Sequence, residues 1–311
     1  MGFILWGMAS LLFIFSCSGT KNSQRDVFRE NEYRKLMAKQ RASAAAEEED
    51  LKKKTEMTAE GYERLGDSYH QQGNLYLASL QYDKALRLDR NQARVHYKMG
   101  CLLLEKGFAE DAKKEFQEVL RMNSRDALAY EGMGRAFFKT GEFGEAGRNL
   151  KKALELDGGL WQSHHLLGIG YDRQGQYDAA ILQYKMAIGL KPNVGMVHNN
   201  LGMSLLLKGE YGEAIASFTE ALRLEPSNRR IHNNLAVALC KMGRYQEALE
   251  VFKRGGDEAS AHNNLGYLYL TEGKHKEAIE AFEKALEIKP GFYPKAYENL
   301  KRAKEAYQAS P

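Results

Sequence analysis

The chain has 311 residues, of which 43% are hydrophobic and 28% are charged, so it can bury a core and keep a soluble surface. Its formal net charge of +4 is too small for this length to indicate a nucleic-acid-binding protein. The three cysteines, Cys17, Cys101 and Cys240, do not have the sequence spacing of zinc ligands. Composition and charge therefore argue against nucleic-acid-binding and zinc-finger proteins.

A mostly apolar run opens the chain and ends directly at a cysteine. It covers the 14 residues from Phe3 to Ser16 and is followed by Cys17. A helix of this length spans about 21 Å, which is less than the hydrocarbon core of about 30 Å. The length suits the apolar region of a signal peptide. The pattern favours a secretory signal over a membrane-spanning helix.

The end of this run, Ile14-Phe15-Ser16-Cys17, resembles the lipobox of bacterial lipoproteins. The resemblance implies that residues 1–17 are a lipoprotein-type signal and that Cys17 is acylated. Ser18 resembles an outer-membrane retention signal, which implies an outer-membrane lipoprotein facing the periplasm. Phe15 is bulky for its position and no Lys or Arg precedes the run. A plain secretory signal with a periplasmic or secreted product, an uncleaved inner-membrane anchor, and an apolar start without function therefore stay open.

A polar segment without proline follows, over residues 18–58. We expect a charged spacer that is partly helical or disordered, because it has little apolar material to bury. Seven basic and three acidic residues lie between Lys21 and Arg41. This excess of positive charge favours either contact with anionic headgroups near the anchor or a solvated tether.

A period of 34 residues dominates the rest of the chain. Alanine recurs at this spacing, glycine recurs at a second position, and a small residue recurs at a third. Two antiparallel helices that pack closely need small side chains where they cross, and the sharp turn between them favours positive φ. Each repeat is therefore predicted to be a helix, a turn and a helix. The alanines are Ala78, Ala112, Ala146, Ala180, Ala214, Ala248 and Ala278; the turn glycines are Gly73, Gly107, Gly141, Gly175, Gly209, Gly243 and Gly273; the first-helix small residues are Gly66, Gly100, Gly134, Gly168, Gly202, Ala236 and Gly266.

This period, with small residues at fixed places and a closing Pro226, resembles the tetratricopeptide repeat family. The resemblance covers seven repeats over residues 59–292. It implies an all-α, right-handed superhelix, or alpha solenoid, of seven helix-turn-helix repeats. Residues 293–311 are predicted to add a C-terminal capping helix with a polar outer side. We expect one elongated domain.

The sixth repeat departs from the period. The step from Ala248 to Ala278 is 30 residues, and the second helix reaches Gly255-Gly256 earlier than the period would allow. Four residues are close to one helical turn, about 6 Å. We therefore expect the second helix of this repeat to be shortened while it keeps the same buried face.

The first helix of each repeat has two faces. In the fifth repeat His198, Leu201, Gly202 and Leu205 are spaced to pack against the partner helix. Histidine recurs at the first of these positions, and we interpret it as a packed residue with a hydrogen-bond partner, because equivalent positions about 10 Å apart cannot share one metal ion. No metal or other cofactor is predicted.

The opposite face of the first helices is the predicted partner-binding site, because the resemblance places it on the concave surface of the superhelix. In repeats four to seven it carries apolar residues, which a soluble monomer has no need to place there. Amides flank them, and their donors and acceptors suit the backbone of an extended ligand. The alternative is that amides and apolar residues pack within the array. The predicted residues are Ile169, Met203, Val237 and Tyr267, flanked by Leu206, Leu207 and Leu270 and by Asn199, Asn233 and Asn263.

No catalytic motif is present in the sequence. The chain is therefore predicted to be a binding scaffold and not an enzyme, with a peptide or amphipathic helix of another protein as its partner and no nucleic acid or small-molecule substrate. Its tethered architecture resembles outer-membrane tetratricopeptide lipoproteins that assist assembly of pili or secretin channels. Two alternatives are a scaffold of exopolysaccharide machinery and a regulatory subunit of an envelope enzyme such as a peptidoglycan hydrolase.

Overall fold

The computed structural model describes residues 57–290 and 293–309, together with Lys35. The signal segment, Cys17 and most of the spacer lie outside the described residues. Over the two described ranges, every regular element is an α-helix. The helices are α1 Ala59–Gln71, α2 Leu75–Leu88, α3 Ala93–Lys106, α4 Ala109–Met122, α5 Ala127–Thr140, α6 Phe143–Leu156, α7 Trp161–Arg173, α8 Tyr177–Leu190, α9 Gly195–Lys208, α10 Tyr211–Leu224, α11 Arg229–Lys241, α12 Tyr245–Gly255, α13 Glu258–Thr271, α14 His275–Ile288 and α15 Pro294–Gln308.

Consecutive helices pack in pairs, α1 with α2, α3 with α4 and so on to α13 with α14, and α15 packs on α14. The predicted all-α tetratricopeptide architecture of seven repeats and a capping helix is confirmed. Among the described helices, none has both the length and the apolar character needed to cross a membrane.

The contacts divide the chain into two compact units. The first ends at Leu156 and contains the first three repeats, and the second begins at Asp157 and contains repeats four to seven with α15. In a repeat array each repeat contacts only its neighbours, so compactness is a local property. The predicted partner-binding residues all belong to the second unit.

The turn within each repeat depends on glycine. Gly209 ends α9 in the left-handed conformation with φ 95°, and its N–H bonds the Leu205 and Leu206 carbonyls. A residue with a Cβ adopts this conformation only with strain. The prediction is confirmed at all seven turns, where φ is positive at Gly73, Gly107, Gly141, Gly175, Gly209, Gly243 and Gly273.

The small first-helix residues let a ring from the second helix approach the backbone. A Cβ added at Gly202 would lie 2.6 Å from the Phe218 ring, and one added at Gly168 would lie 2.5 Å from the Tyr184 ring. Phe218 and Tyr184 are fully buried. The predicted crossing of the two helices at a small residue is therefore confirmed. In the third repeat the buried Leu150 takes the place of the ring, opposite Gly134.

The sixth repeat has the shortened second helix that its 30-residue step predicted. Helix α12 has 11 residues, whereas α10 and α14 have 14 each. Its buried residues, Ala248 and Phe252, keep the positions of Ala214 and Phe218 one repeat earlier. The deletion removes the last turn of the helix and leaves its buried face unchanged.

The closing helix α15 buries Ala296, Asn299 and Ala303. Tyr307 lies in the last turn and is 53% exposed. Within the repeats, an amide or lysine of the first helix bonds back to the preceding first helix. The residue two positions later is small, as Gly202 is after Asn200. In α15 this position, two residues after Asn299, is Lys301, whose side chain is 79% exposed.

Candidate partner-binding surface

Four apolar residues occupy one position on successive first helices of the second unit. Ile169 is on α7, Met203 on α9, Val237 on α11 and Tyr267 on α13, and each is half-buried. Ile169, Met203 and Val237 pack at the edge of the unit's main core, and Tyr267 packs on the cluster that includes Phe282 and Ala303. Each of these side chains thus packs against the protein on one side and is accessible to solvent on the other.

Helix α9 presents the largest apolar surface of this set. Met196 is 50% exposed at its start and Leu207 is 37% exposed at its end, with the half-buried Met203 and Leu206 between them. On α13, Leu270 is likewise half-buried. We call Ile169, Met196, Met203, Leu206, Leu207, Val237, Tyr267 and Leu270 the inner apolar surface.

A chain of side-chain hydrogen bonds connects the first helices beside this surface. Asn234 Nδ2 on α11 donates to Asn199 Oδ1 on α9 at 2.8 Å. Asn199 Nδ2 donates to Asn200 Oδ1 at 3.3 Å, and Asn200 Nδ2 donates to His165 Nε2 on α7 at 3.0 Å. Burial lowers the pKa of His165 to about 4, so its ring is neutral at pH 7 and can accept this bond. We call these four residues the amide chain.

The amide chain changes the interpretation of the predicted amide ladder. Asn199 and Asn263 are buried, and Asn263 Oδ1 accepts from Asn299 Nδ2 on α15 at 3.0 Å. Asn199 thus bonds to α11 and Asn263 bonds to α15, which satisfies polar atoms that burial would otherwise leave without water. Of the three amides predicted to face a ligand, Asn233 alone is half-buried, and it stays in the candidate surface.

The recurrent histidines behave as packed residues. His198 is buried and its Nε2 lies 2.7 Å from the Pro192 carbonyl. His164 Nδ1 lies 2.7 Å from Gln183 Oε1, and His96 Nδ1 lies 2.7 Å from Glu115 Oε2. The predicted hydrogen-bond partners are thus observed. In the described part of the chain, no three His, Cys, Asp or Glu side chains are grouped closely enough to hold a metal ion.

The first unit has a different surface at the equivalent place. Glu63 is 2% exposed and accepts from Arg94 Nη2 at 2.6 Å and from Lys98 Nζ at 2.7 Å. Lys98 also donates to Asp67 Oδ2 at 2.6 Å. With Glu60 and Arg64 these residues line a charged cavity of ≈ 390 Å³. Its formal charge is balanced, three acids against three bases, and its buried carboxylate is already neutralised.

The two cysteines of the described ranges lack the character of nucleophiles. Cys240 is 1% exposed and burial raises the pKa of its thiol to about 12. Burial also raises the pKa of Cys101, despite a hydrogen bond with Tyr97 and the nearby Arg135. Thiols with raised pKa values stay protonated at pH 7 and react slowly.

Family models described as tetratricopeptide repeat or TPR repeat match residues 66–107, 97–160, 165–228, 205–265 and 259–292. Curated proteins give no match. Among solved structures, the C-terminal part of a TPR repeat-containing protein from Cytophaga hutchinsonii is similar at 20% identity with a TM-score of 0.58, covering 76% of this chain and 98% of that one.

Two further solved structures are similar. The Cut9-Hcn1 hetero-tetramer of the APC/C matches at 23% identity with a TM-score of 0.55, covering 78% of this chain and 48% of that one. MamA matches at 28% identity with a TM-score of 0.46, covering 52% of this chain and 94% of that one. The Cytophaga and Cut9-Hcn1 likenesses, below 25% identity, show the fold alone.

Proposed function

The chain belongs to the tetratricopeptide repeat family, and on that premise we propose that its second unit binds a segment of a partner protein on the inner apolar surface. Scaffolds of this family bind protein partners and typically carry no catalytic site. The partner segment is an amphipathic helix or an extended apolar strand. Its apolar side chains cover the inner apolar surface, and the amide of Asn233 bonds its backbone or a polar side chain.

One observation carries this proposal. Ile169, Met203, Val237 and Tyr267 recur at one position of four successive first helices and stay half-buried. At the equivalent position in the first unit the residues are Asp67, Cys101 and Arg135, of which two are charged and none is a large apolar residue. An apolar row that is open to solvent on one side favours association, at about 25 cal/mol per Å² of apolar surface removed from water.

A double substitution tests the surface. Met203→Glu combined with Tyr267→Glu places two charges on the inner apolar surface, and desolvating them opposes the docking of an apolar segment. We would select binding peptides from a displayed library on the full-length protein, and then measure their Kd against the wild type and the variant by calorimetry. Met242→Glu is the matched control, because Met242 is 48% exposed in the same unit and lies outside the surface.

The expected result is a Kd increase of at least tenfold in the double variant and no change in the control. Helix content by circular dichroism and the melting temperature should stay near wild-type values, because both substituted side chains have an open side. Equal affinity for the double variant would place the binding site elsewhere. An unfolded double variant would show that these residues belong to the core.

We also propose a cellular location and a process for the protein. A lipid on Cys17 would hold the protein on the periplasmic side of the outer membrane, where the spacer would set the reach of the array. Assembly of a pilus or secretin channel is the proposed process, with exopolysaccharide machinery and the regulation of a peptidoglycan hydrolase as alternatives. A coding sequence adjacent to those for pilus or secretin subunits would favour the first, and purification of the partner from solubilised membranes would decide among them.

A further inference from the structure

Of the seven second helices, α8 alone has a large apolar side chain at both of two outer positions, whereas α2 and α10 pair Leu80 with Lys84 and Ala216 with Glu220. In four repeats the two positions one turn apart that point away from the first helices are charged. In α8 the same positions are Leu182 and Met186, which are 58% and 47% exposed. The charged pairs are Lys114 and Glu118 on α4, Arg148 and Lys152 on α6, Glu250 and Arg254 on α12, and Glu280 and Lys284 on α14.

Leu190 continues the exposed row on α8. It follows Met186 by four residues and is 44% exposed, so Leu182, Met186 and Leu190 form one ridge along the helix. The ridge extends over about 12 Å. Large apolar side chains exposed in a continuous row differ from single exposed apolar residues, which are common on any protein.

The neighbouring second helix, α10, has short side chains on its outer side, where α8 has long ones. Lys185 Nζ on α8 lies 3.5 Å from Glu213 Oε2 on α10, so the outer sides of these two helices are adjacent. Gly212, Ala216 and Thr219 on α10 are exposed, and a Cβ added at Gly212 would meet nothing within 4 Å. A ridge of long side chains thus borders a shallow floor of short ones. We call Leu182, Met186, Leu190, Gly212, Ala216 and Thr219 the outer patch.

We propose that the outer patch is a second docking surface, which binds one amphipathic helix of a protein partner. A helix laid on the short side chains of α10 would press its apolar row against the ridge of α8, as in ridges-into-grooves packing. The centre of the patch carries no charged residue, so the docking face of the partner helix is uncharged. Leucine or methionine at positions i, i+4 and i+8 fits the length of the ridge.

Size and charge favour this occupant over two others. The three ridge side chains expose on the order of 300 Å², whereas a stable dimer buries about 800 Å² per partner. A second copy of this chain therefore lacks sufficient contact area here. Asp178 and Glu213 border the patch beside Lys185 and Lys191, and this balance gives no net attraction to an anionic membrane surface.

Substitutions to residues that other repeats carry at the same positions test the proposal. Leu182→Glu combined with Met186→Glu copies the glutamates that stand at these positions as Glu250 and Glu220 in other repeats. Ala216→Glu copies Glu280 and blocks the floor of the patch. The control is Leu88→Glu, which alters an apolar side chain that is 60% exposed at the end of α2, in the first unit. The probe is a stapled helical peptide of about 15 residues with leucines at i, i+4 and i+8, and a second peptide of the same composition has them scattered.

Binding of both peptides to the full-length protein is measured by fluorescence anisotropy, and amide chemical shifts locate the contact. We expect the patterned peptide to bind at least tenfold more tightly than the scattered one and to shift resonances of α8 and α10. Both patch variants should lose this preference, while Leu88→Glu and the inner-surface variant Met203→Glu with Tyr267→Glu keep it. The retained binding of the inner-surface variant separates this proposal from the proposed function.

Three results would overturn the proposal. One is equal binding of the two peptides by the wild-type protein. Another is dimerisation in sedimentation experiments that the patch variants abolish, which would make a second copy the occupant. A third is flotation of the wild type, but not of the patch variants, with vesicles of phosphatidylglycerol, which would make a membrane the occupant.

Discussion

Asn234 and Asn199 are 35 residues apart and are joined by a hydrogen bond of 2.8 Å between their amides. The same separation joins Asn200 to His165 and, in the first unit, Lys98 to Glu63. A residue one position beyond the 34-residue period faces the preceding first helix, so each such pair fixes how one repeat stacks on its neighbour. Amides do this in the second unit and an ion pair does it in the first.

Removing the donor of the amide chain should destabilise the second unit. Asn234→Ala leaves Asn199 Oδ1 buried without its donor, at a cost of about 1 to 3 kcal/mol. Chemical denaturation of the variant measures this loss. The double variant Asn199→Ala with Asn234→Ala should lose less than the sum of the single variants, because the two side chains act as a pair.

Asn233→Ala is the matched control for this pair. Asn233 is half-buried on the same helix as Asn234 and belongs to the candidate surface. We expect its removal to leave the free energy of unfolding almost unchanged and to weaken peptide binding. A stability loss as large as that of Asn234→Ala would assign Asn233 to the array's internal packing instead.

Glycine substitutions should have opposite effects at two kinds of position. Gly202→Ala places a methyl group 2.6 Å from the Phe218 ring, so one of the helices must shift, at a cost of about 1 to 3 kcal/mol. Gly147→Ala, within α6, meets nothing within 4 Å and should stabilise the first unit by up to about 1 kcal/mol. The melting temperature should fall for Gly202→Ala and rise for Gly147→Ala. Shifts of both in the same direction would contradict the packing described for Gly202.

The period predicted the helix pairs, the turns and the crossing glycines, because these depend on contacts within one repeat. Gly209 and Gly202 are examples in which one residue type satisfies one local demand. The burial of Asn199 could not be predicted in the same way, since it depends on a partner 35 residues later. A signal was present, because Asn199-Asn200 and Asn233-Asn234 put amides on both sides of that interface. The row of Leu182, Met186 and Leu190 was also visible in the sequence, but only the fold shows that it faces outward.

Glu63 should make the first unit sensitive to acid. Burial alone raises the pKa of a carboxyl, but the hydrogen bonds from Arg94 and Lys98 hold the pKa of Glu63 below its ordinary value of 4.5. Its stabilising effect is therefore present above pH 4.5 and is lost as the pH falls through the lower, folded-state pKa. Glu63→Gln should cost about 2 kcal/mol near pH 7. Denaturation over a pH series should show the wild type and the variant converging in acid; a constant gap would exclude the charge as the cause.

Asp172 should show the opposite dependence. Burial raises the pKa of this carboxyl, although the Ser204 and Tyr184 hydroxyls donate to it at 2.6 and 2.7 Å. A raised pKa means that the charged form destabilises the fold above it, and that this cost disappears as the pH falls below it. Asp172→Asn removes the charge and keeps an acceptor, so it should match or exceed wild-type stability at pH 7. Any advantage should vanish in acid, and a large loss of stability at pH 7 would contradict this account.

The predicted lipid anchor can be tested by removing the sulfur atom of Cys17. Cys17 lies outside the described residues, and its acylation is predicted from the apolar run that ends at Ser16. Cys17→Ser removes the sulfur that would carry the lipid, so the protein should leave the membrane fraction or keep its signal segment. Fractionation and mass spectrometry of the purified protein measure both. Retention in the membrane with unchanged processing would remove the lipoprotein proposal, and Cys101→Ser serves as the control for loss of a thiol.

Lys301 hinders the packing of a further helix on α15. A further helix packed on α15 as α10 packs on α9 would bring a ring against this side chain, where Gly202 makes room for Phe218. For protein engineering, the seven repeats are therefore open to insertion between existing repeats more readily than to extension beyond α15. An added repeat would require Lys301→Gly first, and a fusion that leaves this lysine in place should behave as a separate domain on a tether.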